Sequence, residues 1–341
     1  MNGNPHARFE GLDILRGLAA IYVVLSHYTT YSLTIFGEVP FHVPRESGNY
    51  AVWLFFMISG FVIYFTIERS RTWQDFAVSR LTRLYPVYWI TLTIVVIAEV
   101  LVFKSDPMWW GGYIVNMSMF QEFLGVDNHD VVYWSLTVEL AFYVIVALLF
   151  KTGLLRHIGA VALIWLAICW IGALSGKYLD EPIRIFLNRY LIYPFVPFFL
   201  LGIMLYLVRT RGASRQRTAI VVAALATIWL IHGLVGFTIS LSLFAGTAFA
   251  ISGRGHYIAS PVLLWLGAIS YSLYLIHRNL GYLALSELHK HGLPAGMALL
   301  ITISVALALA SFLTYFVERP VCAYLRTVYR KSKEIAANAV A

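Results

Sequence analysis

The chain has 341 residues, of which 60% are hydrophobic and only 12% charged, and it carries a formal net charge of +8. A soluble globular domain carries roughly 25% charged residues, so an ordinary soluble fold is excluded. At about 20 apolar residues per crossing, ten crossings leave only short connections and no room for a second soluble domain. The two cysteines, Cys169 and Cys322, fall in different apolar segments, which excludes a disulfide framework or a cysteine metal cluster.

Residues 1–11 form a polar N-terminal segment. The apolar run that follows, from Leu12 to about Leu33, is too long for the core of a signal peptide, contains Arg16 and His27, and precedes no small-residue cleavage site. It is expected to stay as the first span. Further predicted spans lie at 49–68, 84–103, 132–150, 158–175, 189–208, 218–234, 236–252, 261–284 and 294–317, and residues 318–341 form a basic tail. The stretch from Gly111 to Gly125 is only 15 residues long and holds Asn116, Gln121 and Glu122, so it can be read as a span or as a re-entrant piece.

Charge placement arbitrates. If that stretch does not cross, 17 basic residues fall in loops on the N-terminal side, and Arg45, Lys104, Lys177, Arg184, Arg189 and Lys290 make six on the other. If it crosses, the arginine-dense RTRGASRQR segment faces outward, against the positive-inside rule. The expectation is therefore an all-α, polytopic integral membrane protein with about ten transmembrane helices and both termini cytoplasmic, in the plasma (inner) membrane. Residues 104–131 then form an outer excursion that dips back toward the protein. The +8 charge is mostly an orientation signal, and no nucleic-acid partner is implied.

Ionisable residues inside spans are costly unless they face a cavity or a partner. Arg16 and His27 are eleven residues apart on the first span, which puts them on nearly one face about 16 Å apart along the axis. Asp13 lies one turn before Arg16 and can pair with it. By helix rise, His27, His277 and Glu139 are expected at one depth in the outer half of the bilayer, with Ser135 and Tyr143 flanking Glu139 at i−4 and i+4. A histidine within reach of a carboxylate makes a general base near neutral pH. Glu99 and His232 lie nearer helix ends or lack polar company and are read as structural. Arg80 and Arg83, just before the third predicted span, and Arg319, after the last, stand beside prolines and carboxylates. That cluster suits phosphate. In WLFFMISGFVIYF, Ser59 and Gly60 mark either close helix packing or room for an extended ligand.

These motifs together resemble the acyltransferase 3 family of integral membrane enzymes, which move acyl groups from cytosolic acyl-CoA to extracytoplasmic carbohydrates and related acceptors. FEGLDILRGLAAIYVVLSH resembles the family's opening span, and WLFFMISGFVI, RLTRLYPVYW, WSLTVELAFY, SYSLYLIH and FVERP resemble its later blocks in order. The resemblance implies a transmembrane acyltransferase domain over 12–317, with His27 catalytic, Arg16 essential and Glu139 the first acidic position of its block. Ser59 and Gly60 match the family's Ser-Gly-Phe block and Arg80 and Arg83 its basic motif; these four and Arg319 are read with the donor, and Ser135, Tyr143 and His277 with the acceptor. This chain has Leu140 and Ala141 where the family has a second acidic residue and a Gln, and Ile14 where it has Gly. The implied donor is acyl-CoA, with acetyl the family's commonest group, and the implied acceptor is a carbohydrate or glycan hydroxyl. No tightly bound cofactor and no metal are expected. His27 is read as a general base or a transient acyl carrier with Glu139 orienting its ring. The alternative from another class is a transporter or flippase of a lipid-linked saccharide or small solute, which also accounts for charges at mid-membrane.

Overall fold

A computed structural model describes residues 9–103, 110–175, 178–252 and 258–340. Arg8, Lys104, Lys177 and Arg254, four of the cations in the orientation count, lie outside the described residues, as do 1–8 and 104–109. Helix is the only regular secondary structure among the described residues, with no strand. In chain order the helices are α1 (Glu10–Phe36), α2 (Gly48–Ile67), α3 (Trp73–Phe103), α4 (Trp110–Met117), α5 (Trp134–Lys151), α6 (Ile158–Ser175), α7 (Glu181–Arg189), α8 (Val196–Arg211), α9 (Arg215–Ile251), α10 (Pro261–Lys290), α11 (Ala295–Phe312) and α12 (Arg319–Val340). A π-helical turn over Leu313–Glu318 joins the last two.

Seven helices among the described residues are long and apolar enough to cross a membrane, against the ten spans expected. Three features account for the difference. Helix α8 has only 16 residues, and the middle of α10 holds His277, Arg278 and Asn279. Helix α9 runs two predicted spans together. A straight 37-residue helix would be about 55 Å long, yet α9 starts and finishes at the same place. Arg209, at the end of α8, donates to the Ile251 carbonyl at 3.1 Å, and Arg217 donates to the Arg211 and Gly212 carbonyls at 3.2 and 2.5 Å. The chain turns back at Gly233, whose φ of 69° and ψ of −171° are non-helical and favour a residue without Cβ.

The short α4 cannot span, and the excursion turns inward as expected: Asn116, Gln121 and Asp130 are all fully buried. Helix α3 begins eleven residues before the predicted span. Thr72 and Asp75 cap it reciprocally, Asp75 N donating to Thr72 Oγ1 at 3.2 Å and Thr72 N to Asp75 Oδ2 at 3.1 Å. Arg80 and Arg83 therefore sit on one helical face rather than in a fixed turn beside Pro86.

The pairing that matters most for function is α1 with α10, which run parallel and pack more extensively than any other pair. Two glycines let them touch. A Cβ at Gly17 would lie 2.6 Å from Gly267 N, and one at Gly267 would lie 2.2 Å from the Asp13 carbonyl oxygen. Small residues are what allow helices to approach this closely inside a membrane. Gly17 and Gly267 are 250 positions apart, as are His27 and His277, so the register set at the crossing carries up both helices to the histidines.

Candidate active site

His27 Nδ1 and His277 Nε2 are 2.8 Å apart, with the rings parallel to within 4°. His277 is fully buried, and its Nδ1 lies 2.7 Å from the Tyr274 carbonyl oxygen. A carbonyl can only accept, so His277 Nδ1 carries the proton. An uncharged pair is the cheaper arrangement away from water, which leaves His277 Nε2 bare to accept from His27 Nδ1–H. The remaining nitrogen of His27, Nε2, then holds a free lone pair.

His27 lines a cavity of about 280 Å³ together with Arg45, Asn49, Trp134 and Arg278, and with Val52 and Tyr274 at its inner wall. Beneath it Asp130 holds the frame. Its carboxylate accepts from Val132 N and Asn279 N, both at 3.2 Å, and from Arg278 Nη1 at 3.3 Å. Burial pushes the Asp130 carboxyl above the usual carboxylate range, while Arg278 and the two amides pull it back.

A second cavity, of about 80 Å³, lies on the other side of Val52 and Tyr274, which line both. Around it stand Arg16, Ser59, Arg80, Arg83, Glu139 and Tyr143, from four helices, with Ser135 near the partition. Ser59 Oγ donates to Glu139 Oε1. The Tyr143 hydroxyl donates to the same oxygen at 2.5 Å. Arg16 pairs with Asp13 at 3.7 Å. With three guanidinium groups around one carboxylate, the cavity has the charge and the donor geometry for phosphate oxygens.

Several expectations are corrected by this arrangement. Glu139 does not orient His27. In the 3-10 turn Val131–Tyr133 only Val131 is exposed; Val132 and Tyr133 are buried, and Val132 lines the first cavity with His27, so α5 starts at the level of that cavity. Glu139, seven residues beyond Val132, is about 10 Å deeper. His277, expected to meet the acceptor, is sealed behind His27. Gly60 faces α8, where a Cβ would lie 2.1 Å from the Phe199 carbonyl oxygen; helix packing, not a ligand, requires it. Arg319 is exposed with its guanidinium 4.3 Å above the Tyr315 ring. The π-helical turn is the reason, since it directs Glu318 inward, where Ser272 Oγ donates to it at 3.3 Å, and leaves Arg319 outward. Glu99 and His232 are structural as expected. Glu99 pairs with His129 at 2.9 Å and His232 packs on Trp53 and Phe198.

Sequence reasoning missed Tyr274, Asp130 and Arg45. Tyr274 stands one turn before His277 in SYSLYLIH, and that spacing was the available signal. Arg45 had been counted only for orientation, and Asp130 sits in a polar loop that gives no hint of burial.

The fold and these cavities define a helical membrane protein with two cavities parted by Val52 and Tyr274, one cationic and the other bearing a paired histidine. The family model described as acyltransferase domain, of the acyltransferase 3 family, matches residues 9–317. The chain belongs to that family and is a membrane acyltransferase. It is 25% identical over 309 residues to acyltransferase MdmB of Streptomyces mycarofaciens, covering 79% of this chain and 78% of the relative. It is also 35% identical over 99 residues to protein 2 in the picA locus of Rhizobium radiobacter, covering 28% of this chain and 47% of that protein. No solved structure gives a significant match.

Proposed function

We propose that this acyltransferase takes its acyl group, acetyl in the simplest case, from cytosolic acyl-CoA and delivers it to a hydroxyl of an extracytoplasmic carbohydrate or cell-envelope glycan. The observation that carries the reading is the His27–His277–Tyr274 chain of hydrogen bonds, which leaves His27 Nε2 with a lone pair at the edge of one cavity while the arginine cavity lies directly behind the partition. The orientation follows from the charges: the end that gathers Lys151, Arg209, Arg211, Arg215, Arg217 and α12 is cytoplasmic. The turn at Gly233, added to α8 and α10, supports ten crossings in the inner membrane with both termini inside.

In this scheme the donor's phosphates meet Arg16, Arg80 and Arg83, and its pantetheine arm extends past Ser59 toward the Val52–Tyr274 partition. The acceptor occupies the cavity with Trp134 and Asn49, its hydroxyl on His27 Nε2. His27 removes the hydroxyl proton as the oxygen attacks the thioester carbonyl. The carbon–sulfur bond then breaks, and the proton passes from His27 to the departing thiolate, so that CoA leaves as the free thiol. His277 accepts from His27 Nδ1–H throughout and steadies the imidazolium formed in passing. Glu139 orders Ser59 and Tyr143 along the donor path and touches no reacting atom.

The test is CoA release and acceptor modification in vesicles containing the wild-type protein, His27→Ala and Arg16→Ala. Loss of transfer in His27→Ala with donor binding kept supports the scheme; activity within about twofold of wild type, well under the 10²–10⁴-fold usual for a general base, refutes it.

A further inference from the structure

On the outer side of α3 and α5, an elongated apolar groove of about 740 Å³ runs between the two helices. Trp73 and Trp89 mark its two ends on α3, and Leu81, Val144, Leu148 and Leu325 of α12 line its length. From Trp73 to Trp89 the helix rises about 24 Å, most of the roughly 30 Å hydrocarbon core of a bilayer. The groove is neither sealed nor filled by the protein: Leu81, Trp89, Val144 and Leu148 are all exposed.

Its mouth at the α12 end is cationic. Lys151 lies 5.4 Å above the Trp73 ring. Asp75 is already engaged, accepting from Lys333 Nζ at 2.7 Å and from the Tyr329 hydroxyl at 2.9 Å. Those contacts pin α12 across the start of α3. The pinned helix carries Arg326 and Arg330 with Glu334 as its one acid, and it leaves Tyr324, Val328 and Ile335 exposed on a separate stripe that Lys331 interrupts. A basic helix with an uncovered apolar stripe is the form that lies in a membrane interface and attracts anionic headgroups. At depth the groove reaches Arg80 and Tyr143, both of which also line the arginine cavity. Arg80 Nε is buried with no hydrogen-bond partner.

We infer that the α3–α5 groove is a binding site for one anionic phospholipid of the leaflet that α12 lies in. Its phosphate sits at Lys151 and the basic side of α12, and one acyl chain fills the groove down to Tyr143. Bulk lipid covers every outward helix face. This one differs in being concave, in having a cationic mouth whose nearby carboxylate is already taken, and in sharing two side chains with the arginine cavity. A zwitterionic lipid would bring its own cation against Lys151 and α12. The occupant packs on Tyr143, whose hydroxyl holds Glu139, and so closes that wall of the arginine cavity. The lipid site stands on its own geometry and does not depend on acyl-CoA being the donor.

The experiment uses the full-length protein in detergent micelles, titrated with phosphatidylglycerol or phosphatidylcholine. Thermal unfolding is followed, and retained lipid is counted by mass spectrometry. Phosphatidylglycerol is expected to raise the midpoint and saturate near one equivalent, and phosphatidylcholine to show no saturable effect. Lys151→Glu is expected to weaken phosphatidylglycerol binding by about tenfold or more, whereas Arg156→Glu, on the exposed turn after α5, stays within about twofold as a rim-charge control. Val144→Trp fills the groove without altering charge and should lose the retained lipid. Equal responses to the two lipids, equal effects of the two charge reversals, or a full equivalent of phosphatidylglycerol on Val144→Trp would each overturn the proposal. The two-lipid comparison on the wild-type protein decides it even if a variant fails to fold.

Discussion

Replacing His277 separates a positioning role from a structural one. In His277→Leu the Nδ1–H of His27 loses its acceptor, and the Tyr274 carbonyl loses its donor. Leaving one buried donor unsatisfied costs about 1–3 kcal/mol. In a folded variant that cost falls on the ring orientation that presents Nε2 to the acceptor. Taken up in the transition state, it is about a 10- to 100-fold loss in rate, the range also seen when the partner that orients a functional imidazole is removed. The loss belongs to kcat, because Arg16, at the proposed phosphate end, is about 16 Å away along α1. His277→Gln retains a carbonyl acceptor near the same place and should recover most of the rate, whereas a role in packing alone would favour Leu over Gln. The assay is thiol release from acyl-CoA by purified protein in vesicles, at varied donor and acceptor concentrations. A kcat within twofold of wild type for His277→Leu, or a loss confined to the donor KM, would refute the reasoning.

In the arginine cavity, Arg83→Ala should raise the donor KM by about tenfold, the scale of one lost charge-assisted contact, while Arg215→Ala, on the surface at the start of α9, leaves it unchanged; equal effects would return both to orientation alone. Gly267→Val pushes a side chain into the Asp13 carbonyl, so it should destabilise the protein by about 1–3 kcal/mol and lower kcat further by parting His27 from His277, as read by thermal unfolding beside activity. Val52→Trp places bulk in the partition and should abolish transfer without weakening donor binding, measured by CoA protection against unfolding. Ser59→Ala frees one partner of Glu139 and should cost only a few-fold in kcat, since Tyr143 still holds the same oxygen.

The sequence was most legible where a single helix decides the answer. Arg16 and His27 lie on one stripe because the helical repeat requires it, and His27 and His277 meet at matched depth because α1 and α10 are parallel and regular. The expected break between 234 and 236 falls beside Gly233. Legibility failed where tertiary packing sets the starting level of a helix. Counting down from the membrane surface sets Glu139 too high, because α5 starts from a turn whose Val132 and Tyr133 are already buried. The outward Arg319 follows from one π-helical turn that hydropathy cannot register. Gly60 and Gly17 look alike in sequence as small residues in apolar runs; only the neighbouring backbone tells which helix each one admits.

The two cavities meet at Val52 and Tyr274 without merging, and that bears on what crosses the membrane. A transporter must carry its whole substrate past the midpoint, which needs a path that opens alternately to each side. Here the partition is built from groups that also hold the site together. The Tyr274 hydroxyl bonds Ser135 Oγ at 2.7 Å and the Val132 carbonyl at 3.0 Å, while its own carbonyl accepts from His277. Moving the Tyr274 ring far enough to pass a sugar would break both bonds of its hydroxyl, next to the carbonyl that fixes the His277 proton. A thioester arm is slender enough to reach the partition from the arginine side, and an acceptor hydroxyl can reach His27 from the other. Transfer of a small acyl group between them requires neither molecule to pass. The same residue that closes the path thus sets the histidine pair, and the closed path favours moving a group over moving a solute.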